Sequence, residues 1–509
     1  MITRRAFLKT IGAGAVGLAG TGCLPSMRKG GAGAAVARPN FVFILIDDLG
    51  WRDLGCFGST FHETPNLDRL AAQGMRFTDA YAACPVCSPT RASIMTGRYP
   101  ARLGLTDFIP GRGEKRGKLL PVSFKQQLPL EEVTIVEALK DAGYTSACIG
   151  KWHLGGRQFY PEKQGFDVNV AACDMGGPAT YWDPYKIPTL PDRRAGEYLT
   201  DRLTDEALGF IEKNKDRPFL LYLSHYAVHN PQQAKKDIAD RFRAKASAMP
   251  PAPVPAFGQE GKHKVRQVQD QPVYAGMVAS VDECVGRVVR RLETLGIAGR
   301  TVIFFMSDNG GLAISEGTPT SNIPLRAGKG WLYEGGVREP LIIKWPGVTR
   351  PGSVCAVPVM STDFYPTMLE MAGLPLHAEW HADGVSLAAL LRGEALERGP
   401  LFWHYPHYSN QGGTPTGAVR DGDYKLIEFF EDDHVELYNL KDDVGEKKDL
   451  AASMPGKAAD LRRKLAGWRR DVGARMPTPN PAYEPEKDPK RAGAPPMQPL
   501  AAAPGFWEE

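Results

Sequence analysis

The amino-acid sequence predicts an α/β protein, with a large, mainly parallel sheet covered on both faces by helices and a small C-terminal α+β subdomain. Three observations carry this. Four nearly continuous apolar runs have the length of strands buried on both faces. Segments of helical character separate them, giving the strand-helix alternation of parallel sheets. Each run also ends in polar, chemically capable residues, as expected where the carboxyl ends of parallel strands border a ligand site.

The first run spans residues 40–46 and ends at Asp47-Asp48. The others are 145–149 before Gly150-Lys151-Trp152-His153, 219–224 before His225 and His229, and 301–306 before Ser307-Asp308-Asn309. Residues 65–73, 134–142 and 271–295 read as helices. The Pro/Ala-rich stretch 249–257, with the polar residues up to 271, reads as a surface loop or lid. Residues 111–118 read as a solvated basic loop with Arg112, Lys115, Arg116 and Lys118. Beyond 399, the short runs 401–404, 424–427 and 434–440 and a helix over 458–472 form the subdomain. The expected division is a signal and linker over 1–38, a catalytic domain over 39–398, the α+β subdomain over 399–475, and a Pro/Ala-rich tail over 476–509 that wraps irregularly or is disordered. No internal repeat is seen.

At 509 residues the chain is long enough for one large and one smaller domain. With 43% hydrophobic residues, 24% charged residues and a net charge of +4, nothing argues for nucleic acid as a partner, so any preference for anions must be local. The N-terminus departs from this ordinary composition. Thr3-Arg4-Arg5-Ala6-Phe7-Leu8-Lys9, followed by the small apolar run 11–20, resembles a twin-arginine export signal. That resemblance implies passage through the twin-arginine machinery and a periplasmic or membrane-anchored location; the run falls short of the ~20 residues that span a bilayer. Cys23 resembles a lipoprotein acceptor, with Gly20 where that pattern has Leu, so a lipid anchor and a simple cleaved signal both stay open. Cys56, Cys84, Cys87, Cys148, Cys173, Cys284 and Cys355 are too irregular for a disulfide scaffold, and one or two bridges stay open.

The most informative segment runs Cys87-Ser88-Pro89-Thr90-Arg91-Ala92-Ser93-Ile94-Met95-Thr96-Gly97-Arg98. Ser88 can cap a helix and Pro89 suits its first turn, which puts Cys87 at a helix N-terminus. There the free backbone N–H groups and the dipole favour negative charge, and Arg91 one turn on can add to it. From the residues alone, Cys87 is a buried structural thiol, half of a Cys84–Cys87 redox pair or half of a zinc site. The second ligand pair that zinc needs is missing, and a redox pair leaves the clusters Asp47-Asp48 and Asp308-Asn309 unexplained. Those clusters offer only oxygen donors, which suit Ca²⁺ or Mg²⁺ better than zinc or copper.

Cys87-x-Pro89-x-Arg91 followed by Thr96-Gly97-Arg98 resembles the signature of type I sulfatases, the formylglycine-dependent members of the alkaline phosphatase superfamily. The similarity runs over about 39–450, through Asp47-Asp48-Leu49-Gly50, Gly150-Lys151-Trp152-His153 and Lys329-Gly330 to Glu334-Gly335-Gly336-Val337-Arg338. It implies an alkaline phosphatase-like α/β/α sandwich and oxidation of Cys87 to formylglycine by a formylglycine-generating enzyme. It assigns one Ca²⁺, or less readily Mg²⁺, to Asp47, Asp48, Asp308, Asn309 and the modified Cys87. It also gives catalytic roles to Arg91, Lys151, His153, His229 and Lys329. In the family's reaction a hydrated aldehyde attacks sulfur and then loses a proton, here to His153, to expel sulfate; His229 or Lys329 protonates the alcohol. The implied substrate is a sulfated polysaccharide or glycosaminoglycan fragment, or an aryl sulfate, with a lean toward galactose-type sugars from residues 81–111. Loops 111–118, 173–198 and 404–413 would recognise the alcohol. Two other functions stay open: a phosphate or phosphonate monoester hydrolase of the same superfamily, and a non-catalytic glycan-binding lipoprotein.

Overall fold

Strand β1 (Asn40–Ile46) shows how the sequence builds two cores from one sheet. Its side chains alternate, so Phe41, Phe43 and Leu45 enter one apolar cluster while Val42, Ile44 and Ile46 enter another on the opposite face. In the computed structural model, which describes residues 38–113 and 117–485, β1 lies at the centre of a nine-stranded sheet. The twin-arginine-like segment, Cys23, Lys115, Arg116 and the tail beyond 485 lie outside the described residues.

The other strands are β2 (Met75–Tyr81), β3 (Thr145–Gly150), β4 (Val168–Val170), β5 (Phe219–Ser224), β6 (Thr301–Ser307), β7 (Arg338–Lys344), β8 (Ser353–Cys355) and β9 (Val359–Met360). Their order is β8-β2-β7-β6-β1-β5-β3-β4, with β9 also on β2. Only β7 runs against its neighbours; every other pair is parallel. Helices α1 (Pro65–Gln73), α2 (Cys87–Thr96), α3 (Ile135–Asp141), α4 (Leu199–Lys213), α5 (Lys236–Ala248), α6 (Pro272–Thr294) and α7 (Phe364–Met371) surround it, with α5 packed on α6. Of these, α1, α4 and α6 pack on the Val42 face and α2, α3 and α7 on the Phe41 face. Met277, Val281, Val285, Val288 and Leu292 give α6 a stripe at helical spacing, each side chain stabilising the fold by roughly 1.5–3 kcal/mol on burial. In α3, Thr134 and Glu137 close a capping box. Among the described residues, no helix is long and apolar enough to cross a membrane.

Strands β10 (Leu401–Tyr405), β11 (Thr416–Asp421), β12 (Tyr424–Phe429) and β13 (Val435–Asn439) form a separate antiparallel sheet, backed by α8 (Pro455–Val472). Leu461, Leu465 and Trp468 of α8 join Trp403, Val419 and Leu426 in a cluster that continues into Tyr81, Val86 and Val337 of the larger sheet's border. The small sheet therefore backs onto the region that carries Cys87.

The structure departs from expectation in several places. Strands β2, β7 and β11 and helices α4, α5 and α7 were not expected; β2 has half-buried polar positions, and β7 opens with Arg338-Glu339-Pro340, so neither reads as an apolar run. In the supposed loop 249–271, Phe257–Glu260 and His263–Arg266 pair as a hairpin. Leu119–Leu120, just past the basic loop, pairs with Thr478–Pro479, so the start of the tail is tied down. The seven described cysteines are all free thiols.

Candidate active site

Parallel register sets the polar strand ends level with one another. Ile46 pairs with Ser307, Leu45 with Ser224, and Ser224 with Gly150, so the residues that follow emerge side by side. Two sharp reversals then fold them inward. Asp48 (φ 63°) and His153 (φ 58°) adopt left-handed backbone, a costly choice for residues with a β-carbon and one that clusters at functional sites. Asp48 N–H donates to Asp308 Oδ1 at 3.2 Å, and Leu49 N–H to Ser307 Oγ at 3.0 Å. Gly150, at φ 102°, must be glycine because a β-carbon would strike the Ser224 carbonyl oxygen, to which Lys151 N–H donates at 2.7 Å.

Helix α2 starts at Cys87 itself, after an extended Val86 with no capping side chain. Ser88 is thus not the cap that was expected; it lies in the first turn, where its hydroxyl accepts from Ile109 N–H at 3.1 Å and ties the helix start to the loop that also holds His153. Every residue of α2 is buried, Cys87 with 3% exposure. Arg91 does not stay at the helix end. Its Nε and Nη2 reach Asp308 Oδ2 at 2.9 and 2.7 Å, and its Nη1 donates to Ser224 Oγ at 2.6 Å and the Lys151 carbonyl at 3.0 Å.

Around this arginine the acidic and basic side chains interlock. Lys151 Nζ lies 2.6 Å from Asp47 Oδ2, and Lys329 Nζ lies 2.6 Å from Asp48 Oδ1. Asn309 Nδ2 also donates to Asp48 Oδ1, at 2.7 Å, and His229 Nε2 stands 3.7 Å from Asp48 Oδ2. Asp47, Cys87 and Asp308 each offer one ligand atom, all within 4.8 Å of one another, and could hold a metal ion. Asp47 Oδ1, Asp48 Oδ2 and Asn309 Oδ1 are buried and accept no hydrogen bond, a cost of about 1–3 kcal/mol each without a compensating partner. Three buried oxygens with spare lone pairs fit a hard divalent cation.

Titration follows from burial and these charges. Burial pushes the Asp47 carboxyl up to about 6 despite Lys151. For Asp48 burial acts in the same direction, but Lys329, His229 and Lys151 outweigh it and hold the carboxyl well below the usual range. Burial also raises the Cys87 thiol; Lys151 and Lys329 oppose this without reversing it. His153 is pushed well below the usual imidazole range by burial and by Lys151. Its Nε2 lies 2.5 Å from the Ile109 carbonyl and so carries the proton, while buried Nδ1 has no hydrogen-bond partner.

Cys87, His153, His229 and Lys329 open into a cavity of about 270 Å³, whose remaining wall includes Phe108, Gly176, Asn230, Glu316, Asn410 and Gln411. The ten residues to which the resemblance gives catalytic or metal-binding roles, Asp47, Asp48, Cys87, Arg91, Lys151, His153, His229, Asp308, Asn309 and Lys329, therefore converge on one site. Asn230, Glu316, Asn410 and Gln411 were not among them: Asn230 at least follows His229, whereas Glu316 sits in a loop with no pattern to mark it. Of the three expected recognition loops, 173–198 contributes Gly176 and 404–413 contributes Asn410 and Gln411. Arg112 of the basic loop opens instead onto a neighbouring cavity of about 450 Å³, with Phe124, His407 and Tyr408.

Residues 39–374 match the family model described as Sulfatase, and residues 327–470 match one described as N-sulphoglucosamine sulphohydrolase, C-terminal. The chain is 34% identical over 512 residues to a sulfatase of Formosa agariphila, covering 85% of this chain and 88% of that protein. It is 36% identical over 423 residues to N-acetylgalactosamine-6-sulfatase of Mus musculus, covering 77% and 72%. The solved structure of Ps i-CgsB in complex with k-i-k-neocarrahexaose superposes with a TM-score of 0.69 at 30% identity, covering 90% of this chain and 98% of that one. The buried cysteine at the start of α2, the oxygen cluster beside it and these matches agree: the chain belongs to the sulfatase family of the alkaline phosphatase superfamily.

Proposed function

We propose that the protein hydrolyses the sulfate ester of a sugar, using residue 87 as formylglycine and one Ca²⁺ held by Asp47, Asp48, Asp308, Asn309 and residue 87. The observation that carries this is the set of three buried oxygens on Asp47, Asp48 and Asn309 that accept no hydrogen bond, in a cluster where Asp47 and Asp308 approach Cys87, which opens with His153, His229 and Lys329 into one cavity. A formylglycine hydrate would supply the hydroxyl that attacks sulfur, and the cation the charge that lowers that hydroxyl's pKa. The chain's own residues do the rest. Arg91, locked onto Asp308 and Ser224, fixes the acidic cluster and adds positive charge beneath the nucleophile. Lys151 orients residue 87 while paired to Asp47. His153, neutral because of its burial and with Nδ1 unpaired, accepts the proton whose loss releases sulfate. Lys329 and His229, both lining the cavity, bind the sulfate oxygens, and one of them protonates the departing alcohol. The names of the N-acetylgalactosamine-6-sulfatase relative and of the neocarrahexaose complex, with the polar wall of the cavity, support a sugar as that alcohol. The twin-arginine-like N-terminus adds export after folding and modification in the cytoplasm.

The test uses matched esters. Turnover of para-nitrophenyl sulfate should exceed that of para-nitrophenyl phosphate, vanish on chelation, and return with Ca²⁺. Faster turnover of the phosphate, or activity indifferent to chelation, would contradict the proposal.

A further inference from the structure

Beyond the groups given a part in the chemistry, the cavity is bordered by Phe108, Gly176, Asn230, Glu316, Asn410 and Gln411, of which Glu316 alone carries a charge. Asn410 Nδ2 donates to Glu316 Oε1 at 3.1 Å, and since a carboxylate only accepts, this bond fixes the amide's orientation and leaves Asn410 Oδ1 as its other end. That oxygen is buried and accepts no hydrogen bond. The Glu316 carbonyl accepts from Asn230 Nδ2 at 2.9 Å, and Asn230 Oδ1 accepts from Gln232 Nε2 at 3.0 Å. Ser315, Glu316, Gly317 and Thr318 all have positive φ, an unfavourable run for three residues with a β-carbon. The two asparagines pin this run so that the Glu316 side chain borders the same cavity as Cys87, His229 and Lys329.

Lys329 and His229 suit the sulfate, whereas Glu316 on the same cavity brings a carboxylate, which calls for an O–H or N–H donor. Building on the sugar-sulfatase reading above, we infer that Glu316, held in place by Asn410, reads a free hydroxyl of the sugar that carries the sulfate and rejects a second anionic group on that sugar. A hydroxyl there makes a charge-assisted hydrogen bond to Glu316; a sulfate or carboxylate in its place meets like charge and brings no donor.

The experiment compares the best-cleaved member of a panel of monosulfated hexoses, its disulfated counterpart, and para-nitrophenyl sulfate, which has no hydroxyl. Glu316→Ala should lower the ratio of kcat/KM on the monosulfated sugar to that on the aryl sulfate about 10- to 100-fold, the worth of one charged hydrogen bond. Glu316→Gln keeps the shape and removes the charge, and should raise the disulfated-to-monosulfated ratio about tenfold. If Glu316→Ala lowers sugar and aryl rates in proportion, or Glu316→Gln leaves the disulfated-to-monosulfated ratio unchanged, the inference falls while the sulfatase reading stands. The same holds if the wild type cleaves only the aryl ester. A wild type inert on every sulfate, in protein shown to carry formylglycine, brings down both.

Discussion

The active site and the seam beneath the C-terminal sheet each bury an ionic cluster of the same formal makeup. At the active site, Asp47, Asp48 and Asp308 face Arg91, Lys151 and Lys329. At the seam, Asp79, Glu334 and Glu446 face Arg338, Arg420 and Lys425. The seam is closed: Lys425 bridges Glu334 at 2.9 Å and Glu446 at 3.0 Å, Arg338 and Arg420 share Asp79 at 2.7 and 2.8 Å, and Tyr81 donates to Glu334 at 2.8 Å. The active site is open, because Asp47 Oδ1, Asp48 Oδ2 and Asn309 Oδ1 keep lone pairs that no protein donor takes. Counting buried charges does not separate the two clusters; the uncommitted lone pairs do.

This contrast can be broken by mutation. Lys329→Ala should lower kcat/KM on a sulfate ester by about 10²–10³, the typical effect of losing one aimed charge in a dry site. A loss below tenfold would make the open cluster as structural as the closed one. Lys425→Met should do the reverse, costing about 3–5 kcal/mol of stability by stranding two buried carboxylates, with turnover per folded molecule close to wild type. Denaturant unfolding alongside kinetics separates the two outcomes.

A smaller effect sharpens the comparison through pH. Burial raises the Glu334 carboxyl, but Lys425, Arg338 and Arg420 outweigh it and hold the group at about 2, below its ordinary 4.5. A depressed carboxyl contributes stability that is fully present above the unfolded value and lost as pH falls through the folded one. The stability difference between wild type and Glu334→Gln should therefore shrink as pH drops from about 4.5 toward 2. A difference independent of pH would mean that this pairing contributes nothing.

The same contrast explains what the sequence reveals. The strand β1 and its Asp47-Asp48 end are legible because a strand covered on both faces must be apolar throughout, so the first polar residues stand out. Cys87 at a helix start is legible from Pro89 and the length of the segment. Strand β7 is not, because Arg338 at its start belongs to the seam and Glu339 beside it is buried; both mask a strand with charge. Helix α4 has a plain apolar period in Leu199, Leu203, Ala207, Phe210 and Ile211, yet is missing from the expected elements. Ser88 and Glu316 owe their partners to contacts 21 and 94 residues away, which no local pattern encodes.

Under the proposed function, residue 87 does its work as an aldehyde held beside the open cluster. The most direct measurement is the mass of the peptide containing residue 87, in protein made with a formylglycine-generating enzyme, set against turnover of para-nitrophenyl sulfate in the same samples. The expected result is a loss of about 18 Da from the thiol, with turnover proportional to the converted fraction. Full turnover by protein whose residue 87 is an intact thiol would contradict it.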